Sequence, residues 1–245
     1  MGGLADVVFE HALTDPSRVA LGRKDAAGQW RDVTAAEFRD EVLALAKGLL
    51  ASGIRFGDRV AIMSRTRYEW TLFDFALWTI GAQVVPVYPT SSAEQCFWML
   101  YDAEVTAAVV EHEDHAMTIA TVIGRLPRLR QLWQLDAGCV QELYDAGAHL
   151  DDEVVHRHRQ AVTPESVATV IYTSARRAAP RAACSRTPTS CSRRTTWWGA
   201  GSRCSTPSAG TRRPRCCSCR SRMSSGAWWR SPRSAAGSAS ATSRS

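Results

Sequence analysis

Two kinds of hydrophobic pattern alternate along the first 174 residues. Short, continuous apolar runs, such as 59–63 and 107–110, predict strands that are buried on both faces. Stretches with apolar residues three and four positions apart, such as 38–50, predict helices. Strand and helix alternate at least three times, so we predict an α/β domain in which helices flank a parallel sheet.

The element boundaries follow from turn and capping signals. Thr34–Glu37 and Ser92–Gln95 each have the sequence of a capping box, at which a helix begins. The predicted helices cover approximately residues 4–13, 35–52, 67–80, 93–102 and 114–125, and a further helix is predicted to have its first turn at 151–153. The predicted strands cover residues 19–22 and 29–33, which form a hairpin, and then 59–63, 84–88, 107–110, 131–135 and 170–172.

The composition of the chain changes abruptly after Ser174. Residues 175–245 contain 15 of the 30 basic residues, all of them arginine, and none of the 24 acidic residues, so they carry a formal charge of +15 while residues 1–174 carry −9. The same segment has no leucine, isoleucine, valine or phenylalanine. Because it has almost no aliphatic side chains to bury, we predict that residues 175–245 form a disordered Arg/Ser-rich tail.

Residues 1–174 offer one candidate for a metal site and no candidate for a membrane-spanning segment. His112 and His115 stand three residues apart beside Glu111, but no second group of ligands follows, so we interpret them as a polar loop and helix start and predict no metal site. No apolar run reaches the 18 or so residues that span a bilayer. Only Cys96 and Cys139 lie in this part, which fits a reducing compartment, and we expect a cytoplasmic location.

The most informative motif is ATVIYTS at 168–174, which follows GDRVAI at 57–62 and ALWTIGAQVVPVYPTSS at 76–92. In this order the three motifs resemble the AMP-forming acyl-CoA synthetases, most closely the bacterial long-chain fatty-acid–CoA ligases. The resemblance implies that residues 1–174 are an incomplete N-terminal AMP-binding domain of the adenylate-forming fold. It also implies an enzyme that uses ATP, Mg²⁺ and coenzyme A to convert a fatty acid, through an acyl-adenylate, into its CoA thioester, with release of AMP and pyrophosphate.

The phosphate-binding loop of that family is missing here. In the family, the YTS motif continues into a loop of the form GTTGxPKG, which holds the phosphates of ATP with backbone N–H groups, hydroxyls and a lysine. This chain has ARRAAPR at 175–181 instead. We therefore predict that Thr173 and Ser174 are the remnant of an ATP-phosphate site, that the chain has no catalytic residue, and that it binds none of the three cofactors. The family's later adenine-binding and ribose-binding segments and its C-terminal lid are also expected to be missing.

A one-base change of reading frame after Ser174 would explain this break. Codons allowed for residues 175–190, preceded by one additional G, can be re-read as GTTGRPKGCVLTHANF, which has the form of the missing loop. The same shift at 216–227 permits LLFLPLAHVFGR, which is also typical of the family. GC-rich codons read out of frame yield the arginine, serine, alanine, proline and cysteine that dominate the tail.

Two alternatives from other functional classes stay open. The basic tail contains Ser-Arg pairs and could bind RNA or another polyanion, with an affinity that falls as salt rises. We favour adventitious, charge-driven binding over a specific nucleic-acid site, because evolved basic tails seldom exclude lysine and all acids. Alternatively, the chain is a non-catalytic fragment that associates with an intact relative.

Overall fold

The computed structural model describes residues 3–25 and 27–173, and the backbone of residues 181–186. The helices are α1 (Asp6–Thr14), α2 (Ala35–Ala51), α3 (Tyr68–Thr79), α4 (Ala93–Asp102), α5 (Glu113–Ala120), α6 (Cys139–Gly147) and α7 (Asp152–Ala161). The strands are β1 (Val19–Lys24), β2 (Trp30–Thr34), β3 (Arg59–Met63), β4 (Gln83–Val87), β5 (Ala107–Val110), β6 (Gln131–Gln134), β7 (Val167–Thr173) and β8 (Arg181–Arg186).

The strands form two sheets. Strands β1 and β2 pair as the antiparallel hairpin that the sequence predicts. The other six form one sheet in the order β6-β5-β3-β4-β7-β8. Neighbouring strands from β6 to β7 are parallel, and β8 is antiparallel to β7. The predicted parallel sheet with flanking helices is therefore confirmed.

Each face of the sheet packs against its own set of helices. On one face, α2, α3, α6 and α7 bury side chains such as Leu45, Phe73 and Leu143 against Val60 and Ile62 of β3. On the other face, α4 and α5 cover Ala61 and Met63, the alternate residues of the same strand. Since successive side chains of a strand point to opposite faces, a continuous apolar run is what a strand between two cores requires.

Both predicted capping boxes are present. The Thr34 side chain accepts a hydrogen bond from the Glu37 N–H at 3.2 Å, and the Glu37 carboxylate accepts one from the Thr34 N–H at 2.9 Å. Ser92 and Gln95 form the same reciprocal pair at the start of α4. These bonds satisfy N–H groups that have no partner inside the helix, which fixes where α2 and α4 begin.

Two helices differ from the sequence prediction. Helix α5 ends at Ala120 rather than near residue 125, because the Val122 N–H bonds to the Ile119 carbonyl and tightens the chain into a 3₁₀ turn at Ile123–Arg125. Helix α6 was not predicted. It follows Gly138, which has a φ of +88°, and no side chain among the described residues caps it.

Strand β8 corrects the prediction for the tail. Residues Arg181–Arg186 pair with β7 in a register that places Thr173 opposite Arg181. The prediction of disorder over residues 175–245 is therefore wrong for these six residues. The physical reason is that β7 would otherwise expose a row of unpaired backbone N–H and C=O groups, which an extended segment can satisfy whatever its side chains. The other residues of the predicted tail lie outside the described residues.

Candidate functional site

The carboxyl end of β7 carries the predicted remnant of a phosphate site. Thr173 is the last residue of this strand and is exposed. Ser174 lies outside the described residues, so the structure does not test its predicted role. Because Thr173 is opposite Arg181, residues 174–180 are the seven that connect the two strands. The stretch between these two strands is the one in which the sequence resemblance expects a phosphate-binding loop.

Contacts on both sides hold β7 in position. Tyr172 is buried, and its hydroxyl donates a hydrogen bond of 2.7 Å to the Asp102 carboxylate at the end of α4. Burial, together with the nearby Asp102 carboxylate, raises the pKa of Tyr172 well above its usual range, so the donor stays protonated at neutral pH. On the α3 side, the Trp78 indole N–H donates a 3.0 Å hydrogen bond to the Ala168 carbonyl.

A second polar group lies at the same edge of the sheet, where β3 and β5 end. The buried Glu111 carboxylate accepts hydrogen bonds from the Arg65 backbone N–H at 2.8 Å and from the Arg65 Nε at 3.0 Å. Arg67 Nη1 lies 3.9 Å from it and 2.8 Å from the Asp136 carboxylate. Burial alone would raise the pKa of Glu111, but the Arg65 N–H and the two guanidinium groups together hold that pKa below its usual value.

His112 and His115, for which the sequence predicts no metal site, follow Glu111 in the chain. His112 precedes the first turn of α5, and the His115 ring stacks on the His112 ring with centroids 3.8 Å apart. Within residues 3–25 and 27–173, no group of three or more histidine, cysteine, aspartate or glutamate side chains is arranged to hold a metal ion. In that part of the chain, no helix is both long enough and apolar enough to cross a membrane.

The sequence indicated the elements that carry these residues but not their contacts. Tyr172 and Asp102 are 70 positions apart, and Arg65 and Glu111 are 46 apart. Their proximity depends on which strands are neighbours in the sheet, and β7 lies next to β4 although four α-helices and two strands intervene in the chain. A glutamate directly after an apolar strand was the signal for Glu111 that the sequence offered.

Comparisons with known proteins agree with this architecture. A family model described as AMP-binding enzyme matches residues 8–201, so the chain belongs to the AMP-binding enzyme family. The chain is 40% identical over 181 residues to the long-chain-fatty-acid–CoA ligases FadD15 of Mycobacterium bovis and Mycobacterium tuberculosis. Each alignment covers 73% of this chain and 30% of the relative, so the chain spans less than a third of the length of these ligases.

Solved structures show the same fold. A long-chain-fatty-acid-CoA ligase from Archaeoglobus fulgidus matches with a TM-score of 0.63 and 20% identity, over 76% of this chain and 36% of that one. A fatty acyl CoA synthetase from Mycobacterium tuberculosis matches with a TM-score of 0.61 and 18% identity, over 76% of this chain and 34% of that one. At these identities the likeness establishes the fold of the N-terminal part of such enzymes.

Proposed function

We propose that the chain derives from a long-chain fatty-acid–CoA ligase and does not itself catalyse the reaction. The proposed ancestral activity joins a fatty acid to coenzyme A, with ATP and Mg²⁺, through an acyl-adenylate. The 40% identity to two ligases of this type supports the ancestry. A cytoplasmic location belongs to the same proposal and is supported by the free, buried thiols of Cys96 and Cys139.

The residues of this chain do not fit the phosphates of ATP, and this observation carries the proposed inactivity. Residues 174–180 lie between β7 and β8 in the chain, and none of them is glycine. A loop that wraps a phosphate needs close approach of its backbone and often positive φ angles, which glycine supplies without strain. Among the described residues of this stretch, Thr173 provides one exposed hydroxyl. No step of the reaction is therefore assigned to residues of this chain.

We propose a one-base frame change as the origin of the defect. The re-reading assigns GTTGRP to positions 175–180, which lie in the connection between the strands, and KGCVLT to positions 181–186, which form β8. Six of the eight residues of the GTTGxPKG loop would then lie between β7 and β8, and its lysine and last glycine would fall on the first two positions of β8. The codon re-reading over two separate stretches, 175–190 and 216–227, supports the frame change.

Sequencing the gene around the Ser174 codon tests the frame change directly. We expect codons for residues 175–190 that become a glycine-rich loop when one base is added. Codons that cannot be re-read in this way would contradict the proposal.

A matched pair of insertions then tests the inactivity. One base added after the Ser174 codon of the complete gene, so that translation continues in the restored frame past residue 245, should restore pyrophosphate release from ATP with a long-chain fatty acid. Three added bases lengthen the chain at the same point but keep the present frame. We expect the unaltered chain and the three-base variant to be slower than the one-base variant by at least about 10³-fold, since loss of a single preorganised donor already costs on the order of 10²–10³ in rate. Pyrophosphate release by the unaltered chain would contradict the proposed inactivity.

The composition of the Arg/Ser-rich tail, residues 175–245, supports a second candidate function, the binding of polyanions. Its formal charge of +15 attracts nucleic acids and other polyanions without any folded site. A filter-binding assay with RNA and with heparin distinguishes charge-driven binding of any polyanion from binding at an evolved RNA site. Similar affinities for both indicate charge alone, and a strong preference for one RNA sequence would indicate an evolved site.

A further inference from the structure

We propose that a cavity at the amino edge of the large sheet binds an organic cation, namely a guanidinium group on a short aliphatic chain. We call it the amino-edge cavity and define it by Leu100, Tyr101, Asp102, Glu104, Leu126 and Pro127. Thr173 lies at the opposite, carboxyl end of its strand. The cavity is therefore separate from the remnant of the phosphate site and does not depend on the proposed function.

The cavity forms where one helix ends and two strands begin. Helix α4 ends at Asp102, and the chain then turns through residues 103–106 into β5. The segment that leads into β6 lies against this turn, because the Arg130 N–H bonds to the Thr106 carbonyl at 2.9 Å. Together the two segments enclose a volume of about 300 Å³, which is sufficient for a small organic ligand.

Apolar and aromatic side chains form much of the cavity wall. The apolar part consists of Leu100, Val105, Leu126 and Pro127. Tyr101 is 57% exposed, so its ring has surface that a ligand can cover. A cation with a hydrocarbon body suits such a wall, because the hydrocarbon is removed from water while the charge can lie over the aromatic ring.

Asp102 supplies a fixed anion to the cavity. Its Oδ2 atom accepts the 2.7 Å hydrogen bond from the hydroxyl of the buried Tyr172. Asp102 is itself exposed, and among residues 3–25 and 27–173 no arginine, lysine or histidine is ion-paired with it. The second acid, Glu104, already lies 3.4 Å from Arg59 Nη1 and 3.8 Å from Arg128 Nη2. The negative charge that is left for a ligand is therefore that of Asp102.

One turn earlier, the same helix already binds a guanidinium group of the chain itself. The Arg125 guanidinium carbon lies 3.5 Å from the centroid of the Phe97 ring, and its terminal nitrogens bond to the Glu94 carboxylate at 2.9 and 3.2 Å. The Tyr101 ring is next to that of Phe97, with centroids 5.5 Å apart, and Asp102 follows it in the chain. An aromatic ring beside a carboxylate thus occurs twice on α4, and the second pair has no cation among the described residues. This repetition favours a guanidinium group as the ligand.

Amide NMR signals of the full chain test the cavity with a matched pair of probes. n-Butylguanidinium and n-butylurea have nearly the same shape, but only the first is charged. At constant ionic strength, we expect butylguanidinium to shift the Tyr101 and Glu104 signals with a Kd on the order of 1 mM, and butylurea to bind at least about tenfold more weakly. The signal of Asp145, an exposed acid on α6, is the control for unspecific attraction. Equal responses to the two probes, or an equally large response at Asp145, would overturn the proposal.

Matched variants assign the binding to these side chains. Asp102→Asn keeps an acceptor for the Tyr172 hydroxyl but removes the charge, so it should weaken butylguanidinium binding about tenfold. Tyr101→Ala removes an exposed ring and should weaken binding about threefold, as expected for loss of a cation–π contact. Asp145→Asn removes an exposed charge elsewhere and should leave binding unchanged. Equal effects of Asp102→Asn and Asp145→Asn, or unchanged binding in Tyr101→Ala, would refute the site.

A second arm of the titration distinguishes two sources of the guanidinium group. The 15 arginines of residues 175–245 carry the same group as the probe, and heparin, a polyanion, engages them. Tighter binding of butylguanidinium in the presence of heparin indicates that these arginines compete for the cavity. Unchanged binding indicates a separate small molecule as the natural ligand. The absence of a saturable shift at Tyr101 and Glu104 in both arms would overturn the proposal.

Discussion

The His115 side chain links folding to pH. Burial lowers its pKa, and the adjacent His112 adds to the effect, while the Glu111 and Asp114 carboxylates oppose it. The folded chain therefore binds fewer protons than the unfolded chain, and the stability that neutral His115 contributes is lost as pH falls below about 6.5, the ordinary histidine value. We expect the His115 contribution to lower the urea midpoint between pH 7.5 and 5.5 in sulfonate buffers, against an opposite contribution from Asp74, because burial raises the pKa of Asp74 to about 7.

Substitution of His115 tests whether this residue contributes to the pH dependence of the urea midpoint. His115→Phe keeps a ring of similar size in the buried position but cannot be protonated, so the decrease in urea midpoint between the two pH values should become smaller. His149→Gln, which removes an exposed histidine, should leave the decrease as it was. A pH dependence that is the same in His115→Phe as in the unaltered chain would contradict the role given to burial.

Tyr172 is predicted to stabilise the strand that precedes the loop. Tyr172→Phe removes the 2.7 Å hydrogen bond to Asp102 and keeps the buried ring, so the free energy of unfolding should decrease by about 1–2 kcal/mol. Tyr101→Phe is the matched control, because Tyr101 is exposed and its loss should change stability by less than about 0.5 kcal/mol. Urea denaturation of both variants measures the difference, and equal losses would argue against a specific contribution of the Tyr172–Asp102 bond.

At the scale of single residues, the sequence predicted which element carries a residue better than which side chains contact one another. Thr173 lies at the end of a strand, as its motif predicts, because the motif and the strand are the same local stretch. The bonds of Glu111 to Arg65 and of Tyr172 to Asp102 join different strands and helices. They depend on the order of strands in the sheet, which no local pattern of apolar residues encodes.

At the scale of elements, the prediction succeeded where a helix or strand carries its own signal. Helix α2 has a capping box and a long apolar face, so both its start and its type were predicted. Helix α6 has nine residues, no capping side chain among the described residues, and a glycine at its last position. Strand β8 has no strand-like composition and depends on pairing with β7. Elements that form because of their neighbours were the ones that sequence patterns missed.

Helix α6 depends on its packing against α2, because the backbones of the two helices are in contact where they cross. Gly48 and Gly147 allow the two helix backbones to touch, since a Cβ atom on Gly48 would overlap the Leu143 carbonyl and one on Gly147 would overlap the backbone at residues 47–48. Gly48→Ala should reduce the free energy of unfolding by about 1–3 kcal/mol, because a backbone atom cannot move aside as a side chain can. Gly124→Ala is the control, as a Cβ there meets nothing within 4 Å. Similar effects of the two substitutions would contradict the close crossing.

At the scale of the whole molecule, the chain has two parts that differ in composition and in the sign of their charge. Residues 1–174 have the composition of a folded α/β domain and a charge of −9, and residues 175–245 carry +15. A binding function evolved in the second part would select particular residues at particular positions. Out-of-frame codons, in contrast, would yield arginines whose positions bear no relation to any ligand. The two origins therefore differ in what they predict for specificity rather than for affinity.

Salt dependence and sequence dependence of binding together distinguish these origins. If charge alone drives binding, the logarithm of the association constant should fall linearly with the logarithm of salt concentration, with a loss on the order of 10³-fold between 50 mM and 200 mM for about six phosphate contacts. Single-stranded RNAs of equal length and different sequence should bind within about threefold of one another at each salt concentration, since backbone contacts do not read bases. The measurement is filter binding with the full chain, and RNAs of scrambled sequence are the controls. A preference of more than about tenfold for one sequence at fixed salt would show that the segment reads bases, and an out-of-frame origin of the tail would then be untenable.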